Sequence, residues 1–126
     1  MYLLDTCSFI WTVQNSSKTS PKLIEILQSY EEVFLSQVSL WEIAIKQTTG
    51  KLELELDTFE LENLCKREEI SIIPLYTKHF ERIKKLPLIH RDPFDRIIIA
   101  TAIEENLTLL TSDKNILKYH EVKTLW

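Results

Sequence analysis

Glycine is nearly missing: the 126 residues contain only Gly50. That excludes flexible glycine linkers and the glycine-rich loops that cradle phosphates. Cysteine is scarce as well. Cys7 and Cys65 show no CxxC spacing and no Cys/His cluster, which argues against structural zinc and against a disulfide framework. No apolar run approaches the roughly 20 residues of a membrane span. Met1-Tyr2-Leu3-Leu4-Asp5 has neither the basic nor the apolar region of a signal peptide, so no membrane association is expected and the cytoplasm is the expected location. An excess of positive charge is also lacking. With a formal net charge of −4, nothing draws the whole molecule to nucleic acid, and any such role needs a local patch or bound cations.

What is present suits one globular domain, residues 1–126, with one core. Short apolar runs at Tyr2 to Leu4, Val33 to Leu35, Ser71 to Ile73, Leu107 to Thr111 and Val122 to Leu125 read as strands. Helices are expected after Asp5 (through Phe9, Ile10 and Trp11), from Pro21 to about Tyr30, Val38 to Thr48, Thr58 to Glu69, Thr77 to Lys85, and from Pro93 onward. Asp113 is expected to start a short helix to about Tyr119, and Leu52 to Leu56, alternating apolar with acidic, a short exposed strand or a turn. Gly50 fits the C′ position of its helix. Strands alternating with helices predict an α/β fold: a three-layer α/β/α domain around a central, mainly parallel sheet of four or five strands.

The most informative stretch is His90-Arg91-Asp92-Pro93-Phe94-Asp95-Arg96, followed by Ile97-Ile98-Ile99-Ala100. Asp92 suits an N-cap, Pro93 the first helical position and Asp95 the third, where acids are favoured. The apolar run behind them predicts a helix covered on most sides. Other acids fall at comparable places. Asp5 ends the first strand, Glu42 lies in the first turns of the helix after the second, and Asp113 follows the fourth by two residues. In open α/β sheets, ligands bind beyond the carboxyl ends of the strands. Asp95 joins the others there only if Pro87 to Pro93 carries the chain back to that edge.

Each acid has a plain structural explanation. Asp5 and Asp113 fit N-caps, Ser39-Leu40-Trp41-Glu42 matches a capping box, and Glu42 with Lys46 has the spacing of an ordinary ion pair. Together they are harder to dismiss, because carboxylates gathered within ~4–6 Å repel one another unless a cation intervenes. Acids without a histidine partner suit Mg²⁺ or Mn²⁺ better than zinc. Thr6, Thr111 and Ser112 lie beside these acids and can bond a carboxylate or a phosphate. Arg91 and Arg96 flank Asp92 and Asp95 and are candidates for phosphate contact or for tuning the carboxylates. His90 is expected to donate a hydrogen bond that fixes its loop.

Leu3-Leu4-Asp5-Thr6, Ser39 to Lys46 with Gly50-Lys51-Leu52, His90 to Arg96 with Ile99-Ala100, and Leu109 to Asp113 together resemble PIN-domain proteins of the VapC toxin type. The resemblance covers nearly the whole chain in order and spacing. It implies a metal-dependent endoribonuclease, the toxin of a toxin–antitoxin pair, with an RNA substrate, a cognate antitoxin and a homodimeric state. Carried over by position, it implies Asp5, Glu42, Asp95 and Asp113 as the catalytic and metal-binding acids, with Mg²⁺ or Mn²⁺ as cofactor. Asp92 belongs to the same motif and is assigned mainly to capping and support. Cys7 departs from the pattern, standing where relatives often carry histidine or asparagine. Phe9, Ile10 and Trp11 are three bulky neighbours that cannot all point inward from one helix, so at least one is expected to face outward, and the resemblance implies an antitoxin groove there. A receiver-type phosphoacceptor needs an acidic pair after the first strand, and a haloacid-dehalogenase-type phosphatase needs an acid where Cys7 stands; neither pattern is met.

Overall fold

The computed structural model describes residues 1–126. Five parallel strands form one sheet: β1 (Tyr2–Leu4), β2 (Val33–Ser36), β3 (Ile70–Ile73), β4 (Thr108–Leu110) and β5 (Thr124–Leu125), in the order β3-β2-β1-β4-β5. β1 is central, paired with β2 on one side and β4 on the other. Strand order reverses there, which is where a crevice opens at the carboxyl ends.

Alternation along the strands divides the core into two layers. Leu3 and Leu109, in register, face one side with Ile97, Ile98, Ile99, Ile116 and Tyr119. Leu4 and Leu110, the next registered pair, face the other with Phe9, Leu35, Leu61 and Ile70. Helices α1 (Thr6–Val13), α2 (Pro21–Leu27) and α4 (Thr58–Arg67) cover the second face, while α5 (Thr77–Ile83) and α6 (Pro93–Glu104) cover the first. α3 (Gln37–Thr48) gives Val38 to one layer and Leu40 and Ile43 to the other. The three-layer α/β/α architecture is therefore as expected. In α6 six successive residues, Ile97 to Ala102, are buried, so this helix is enclosed on nearly all sides.

Several local expectations need correction. α2 stops at Leu27 rather than near Tyr30, because Ser29 to Glu32 is exposed or polar and has nothing to bury. The helix expected from Asp113 is a single 3₁₀ turn at Ile116–Lys118, and the closing strand is only Thr124–Leu125. Leu52 to Leu56 alternates in burial as its sequence alternates, yet it forms neither strand nor ladder. Instead Gln47 Nε2 donates to the carbonyls of Leu54 (3.1 Å) and Leu56 (2.8 Å), strapping the segment to α3. The return of the chain to the carboxyl edge is made largely by α5, not by Pro87 to Pro93. His79 at the start of α5 bonds Glu105 at the end of α6 (2.8 Å), whereas Ile83 O, at its end, accepts from Arg96 in the first turn of α6 (3.1 Å).

α3 ends in a complete Schellman motif. Gly50 takes φ +73°, its N–H reaches Gln47 O (3.3 Å), and Lys51 N–H reaches Lys46 O (2.9 Å). Open space surrounds the Gly50 α-carbon, so a side chain there meets only the backbone cost of the left-handed region. Gly50→Ala should therefore lose roughly 1 kcal/mol of stability in urea unfolding, and Gly50→Asn less. An unchanged midpoint in both would contradict this account.

Candidate active site

Asp5 leaves β1 and caps α1. Its Oδ1 accepts from Ser8 N–H (2.7 Å) and Ser8 Oγ–H (2.6 Å), and its Oδ2 accepts from the Thr111 hydroxyl. Ser8 Oγ also lies 2.9 Å from Leu110 O and shares its single proton between that carbonyl and the acid, so one serine ties the acid to both central strands. Burial pushes the Asp5 carboxyl above its ordinary range even against the hydrogen bonds from Ser8 and Thr111, and the charge of Asp113 adds to the rise. Asp113 follows β4 and, rather than capping a helix, braces the turn that leads into the 3₁₀ segment, whose N-cap is Asn115, accepting from Asn115 N–H (2.8 Å) and Ile116 N–H (3.3 Å). Thr111 Oγ1 accepts from Asp113 N–H (3.0 Å) and links the two acids.

At the start of α6, Asp92 caps as expected, accepting from Phe94 N–H (2.8 Å) and Asp95 N–H (3.3 Å). The Asp95 carboxylate is thereby aimed into the crevice. Its Oδ2 bonds His90 Nε2 at 2.7 Å. Single donor atoms of His90, Asp95 and Asp113 all lie within 4.8 Å of one another, close enough to share an ion. Burial raises the Asp95 pKa to about 6 despite the bond from His90, with the charges of Asp92 and Glu42 adding to the rise. The expectation of acids without a histidine is thus corrected: His90 belongs to the cluster, alongside its backbone bond to the Tyr119 hydroxyl (2.8 Å).

Glu42 is not a capping-box acid. The N-cap of α3 is Ser36, and Ser39 instead bonds the Thr6 hydroxyl (2.9 Å), leaving Glu42 in the second turn facing inward. Only 5% of Glu42 is exposed; Oε2 meets Lys46 Nζ at 3.0 Å, while the buried Oε1 has no partner. An orphaned carboxylate oxygen of this kind is costly unless a ligand completes it. Cys7, exposed at the edge of these groups, has its thiol pushed up to about 11 by partial desolvation and by Asp5, Asp95 and Glu42 against the pull of Lys46.

Other expected residues fall elsewhere. Arg96, expected to engage phosphate or the carboxylates, instead donates to Pro87 O (2.8 Å), Ile83 O (3.1 Å) and Tyr119 Oη (3.1 Å), clamping the loop that ends at Asp92. Arg91 is exposed and Ser112 is half-buried beside Asp113. Phe9 and Ile10 are core residues, so of the three bulky neighbours only Trp11 is partly open, edge-on to Trp126 at 5.7 Å. Ser8 and Tyr119 were not singled out from sequence. The signal for Ser8 was its place three residues after a capping aspartate; Tyr119 offered none, since its partners are distant in the chain.

The donor set brought together, the Asp95 and Asp113 carboxylates with the His90 imidazole, fits a divalent cation; Asp5 and Glu42 lie outside that group, with the bare Glu42 Oε1 the further oxygen left without a partner. In the metal-free protein the raised Asp95 pKa means that the native state binds more protons than the unfolded chain between about pH 4 and 6, so Asp95 lowers stability as pH rises through that window. Without metal, Asp95→Asn should stabilise the protein at pH 8, by at most about 3 kcal/mol, and by little near pH 4. A benefit that grows toward low pH in thermal melts would contradict this.

The PIN domain family model matches residues 2–122. No curated protein matches the chain. Among solved structures, a chain of VapBC2 from Rickettsia felis, bound to a DNA fragment from its promoter, is 19% identical with a TM-score of 0.74, covering 99% of this chain and 98% of that one. A chain of FitAcB from Neisseria gonorrhoeae is 18% identical with a TM-score of 0.70, covering 100% and 97%. One of VapBC-1 from nontypeable Haemophilus influenzae is 19% identical with a TM-score of 0.71, covering 98% and 96%. With the strand order, the acids at the carboxyl edge and this match across nearly its whole length, the chain belongs to the PIN domain family.

Proposed function

We propose that this protein is the toxin of a toxin–antitoxin pair, a Mg²⁺- or Mn²⁺-dependent endoribonuclease that hydrolyses RNA phosphodiester bonds at the acidic cluster. The observation that carries the reading is the buried, partnerless Glu42 Oε1 beside acids that burial and mutual repulsion hold above their ordinary pKa. Asp5, Glu42, Asp95 and Asp113 would hold the ion. A bound cation supplies an acidified water and offsets charge on the attacked phosphate. Ser8 and Thr111 keep Asp5 fixed in one orientation, and His90 does the same for Asp95. Asp92 and Arg96 hold the α6 start in place, which matters because small displacements of such groups cost activity. Half-buried Ser112 and exposed Arg91 are available to phosphate oxygens, whereas Thr6 is buried with its hydroxyl bonded to Ser39 and braces α1 against α3. Arg82 and Lys84 are already paired with Glu104 and Glu81 and contribute less.

The partner reading rests on the second face. Between α1, α2 and α4 lies a groove of about 510 Å³ lined by Phe9, Val13, Ile24, Leu27 and Leu64, with the buried Thr19 Oγ1 left unbonded. An amphipathic antitoxin segment fits such a groove, and the similar folds come from complexes described as VapBC and FitAcB. The homodimer rests on the family resemblance; Trp41, exposed and edge-on to Phe94 at 5.2 Å, is an apolar side chain that such an interface would cover. No helix is long and apolar enough to cross a membrane.

Cleavage of a mixed single-stranded RNA pool, with Mg²⁺, Mn²⁺ or Zn²⁺ added after chelation, tests the enzyme. Asp5→Asn and Asp95→Asn should each lose at least about 100-fold in rate while keeping the wild-type circular dichroism spectrum. Folded variants that cleave as fast as the wild type, or wild-type cleavage in chelator, would sink the proposal.

A further inference from the structure

Glu42 and Lys46 have the i,i+4 spacing of a routine helical ion pair, but their surroundings are not routine. In Lys66–Glu62, an ordinary pair on α4, the side chains are 72% and 47% exposed and 3.7 Å apart. In Lys46–Glu42 they are 35% and 6% exposed and 3.0 Å apart. Of all the lysines and arginines, Lys46 is the one that makes an ion pair with an acid of the proposed ion site. The groups that face it come from three elements, Cys7 of α1, Glu42 of α3 and Asp92 at the cap of α6. The pair is also incomplete, for Lys46 satisfies Oε2 and leaves Oε1 buried and bare. Its stem reaches from the buried acid to the rim, as long cationic side chains do.

We propose that Lys46 is the resident counter-ion of this site and its phosphate-binding residue, neutralising Glu42 while the site is metal-free and turning to an RNA phosphate oxygen once Glu42 holds a cation. The inference rests on the nuclease reading. It separates two properties that a purely structural lysine would change together. As a competitor for Glu42, the ammonium weakens metal binding; as a phosphate partner, it strengthens RNA binding.

Lys46→Met removes the charge and keeps much of the length, with Lys46→Gln as a second neutral variant should the first misfold, and Lys46→Arg restores charge. Mn²⁺ binding is read by calorimetry, and KM and kcat on single-stranded RNA at saturating Mn²⁺ over a salt series. The neutral variants should bind Mn²⁺ about tenfold more tightly, as loss of one unit charge a few ångströms away implies. Their KM should rise about tenfold, and the slope of log kcat/KM against log salt should flatten by about 0.7, one phosphate contact on a single strand. Lys46→Arg should recover KM. Weaker Mn²⁺ binding in folded neutral variants, or unchanged KM and salt slope, overturns the role of Lys46 alone. A wild-type protein that binds no Mn²⁺ overturns the nuclease reading itself.

Discussion

The parallel register of β1 against β4 is the constraint on which the rest depends. Leu3 opposes Leu109 and Leu4 opposes Leu110, which sends one pair into each core layer. A slip of one residue would exchange the layers and turn every side chain over. The same register delivers Asp5 beside Thr111, and Ser8 seals the join by sharing its hydroxyl proton between Asp5 and Leu110 O. Packing and chemistry are therefore set by one alignment.

Charge works against that arrangement. Asp5 and Asp95 are both lifted by burial, and each feels another acid as well. Asp5 also caps α1 and Asp113 braces the turn after β4, so the backbone holds their carboxylates where electrostatics alone would separate them. Sites that oppose the folding preferences around them in this way are typical of functional positions. Away from the crevice the polar groups are ordinary: His79 accepts from Tyr76 N–H and bonds Glu105, and Arg96 is wholly engaged in holding its loop.

Much of this was legible in local signals. Asp92-Pro93 announced the start of α6, Gly50 the end of α3, and the apolar runs the central strands, because caps and alternation act over a few residues. Long-range closure was not legible. The alternation of Leu52 to Leu56 resembles a strand, and only the reach of Gln47 across seven and nine residues explains why it is not one. The approach of His90 to Asp113, and the commitment of Arg96 to Pro87, Ile83 and Tyr119, likewise depend on how α5 turns the chain back. Ser36, not Ser39, caps α3, a shift of three residues that turned Glu42 from an apparent capping acid into a buried one.

The middle strand of the sheet is the earliest in the chain, and its neighbour β4 is separated from it by about a hundred residues. Closing so long a span is entropically demanding, which places that contact among the slower ones to form. During synthesis, Asp5 emerges first and can bond Ser8 through Oδ1, but its Oδ2 waits for Thr111. A nascent chain thus carries Asp5 and Glu42 before the crevice exists, because Asp95, β4 and Asp113 all lie in its last third.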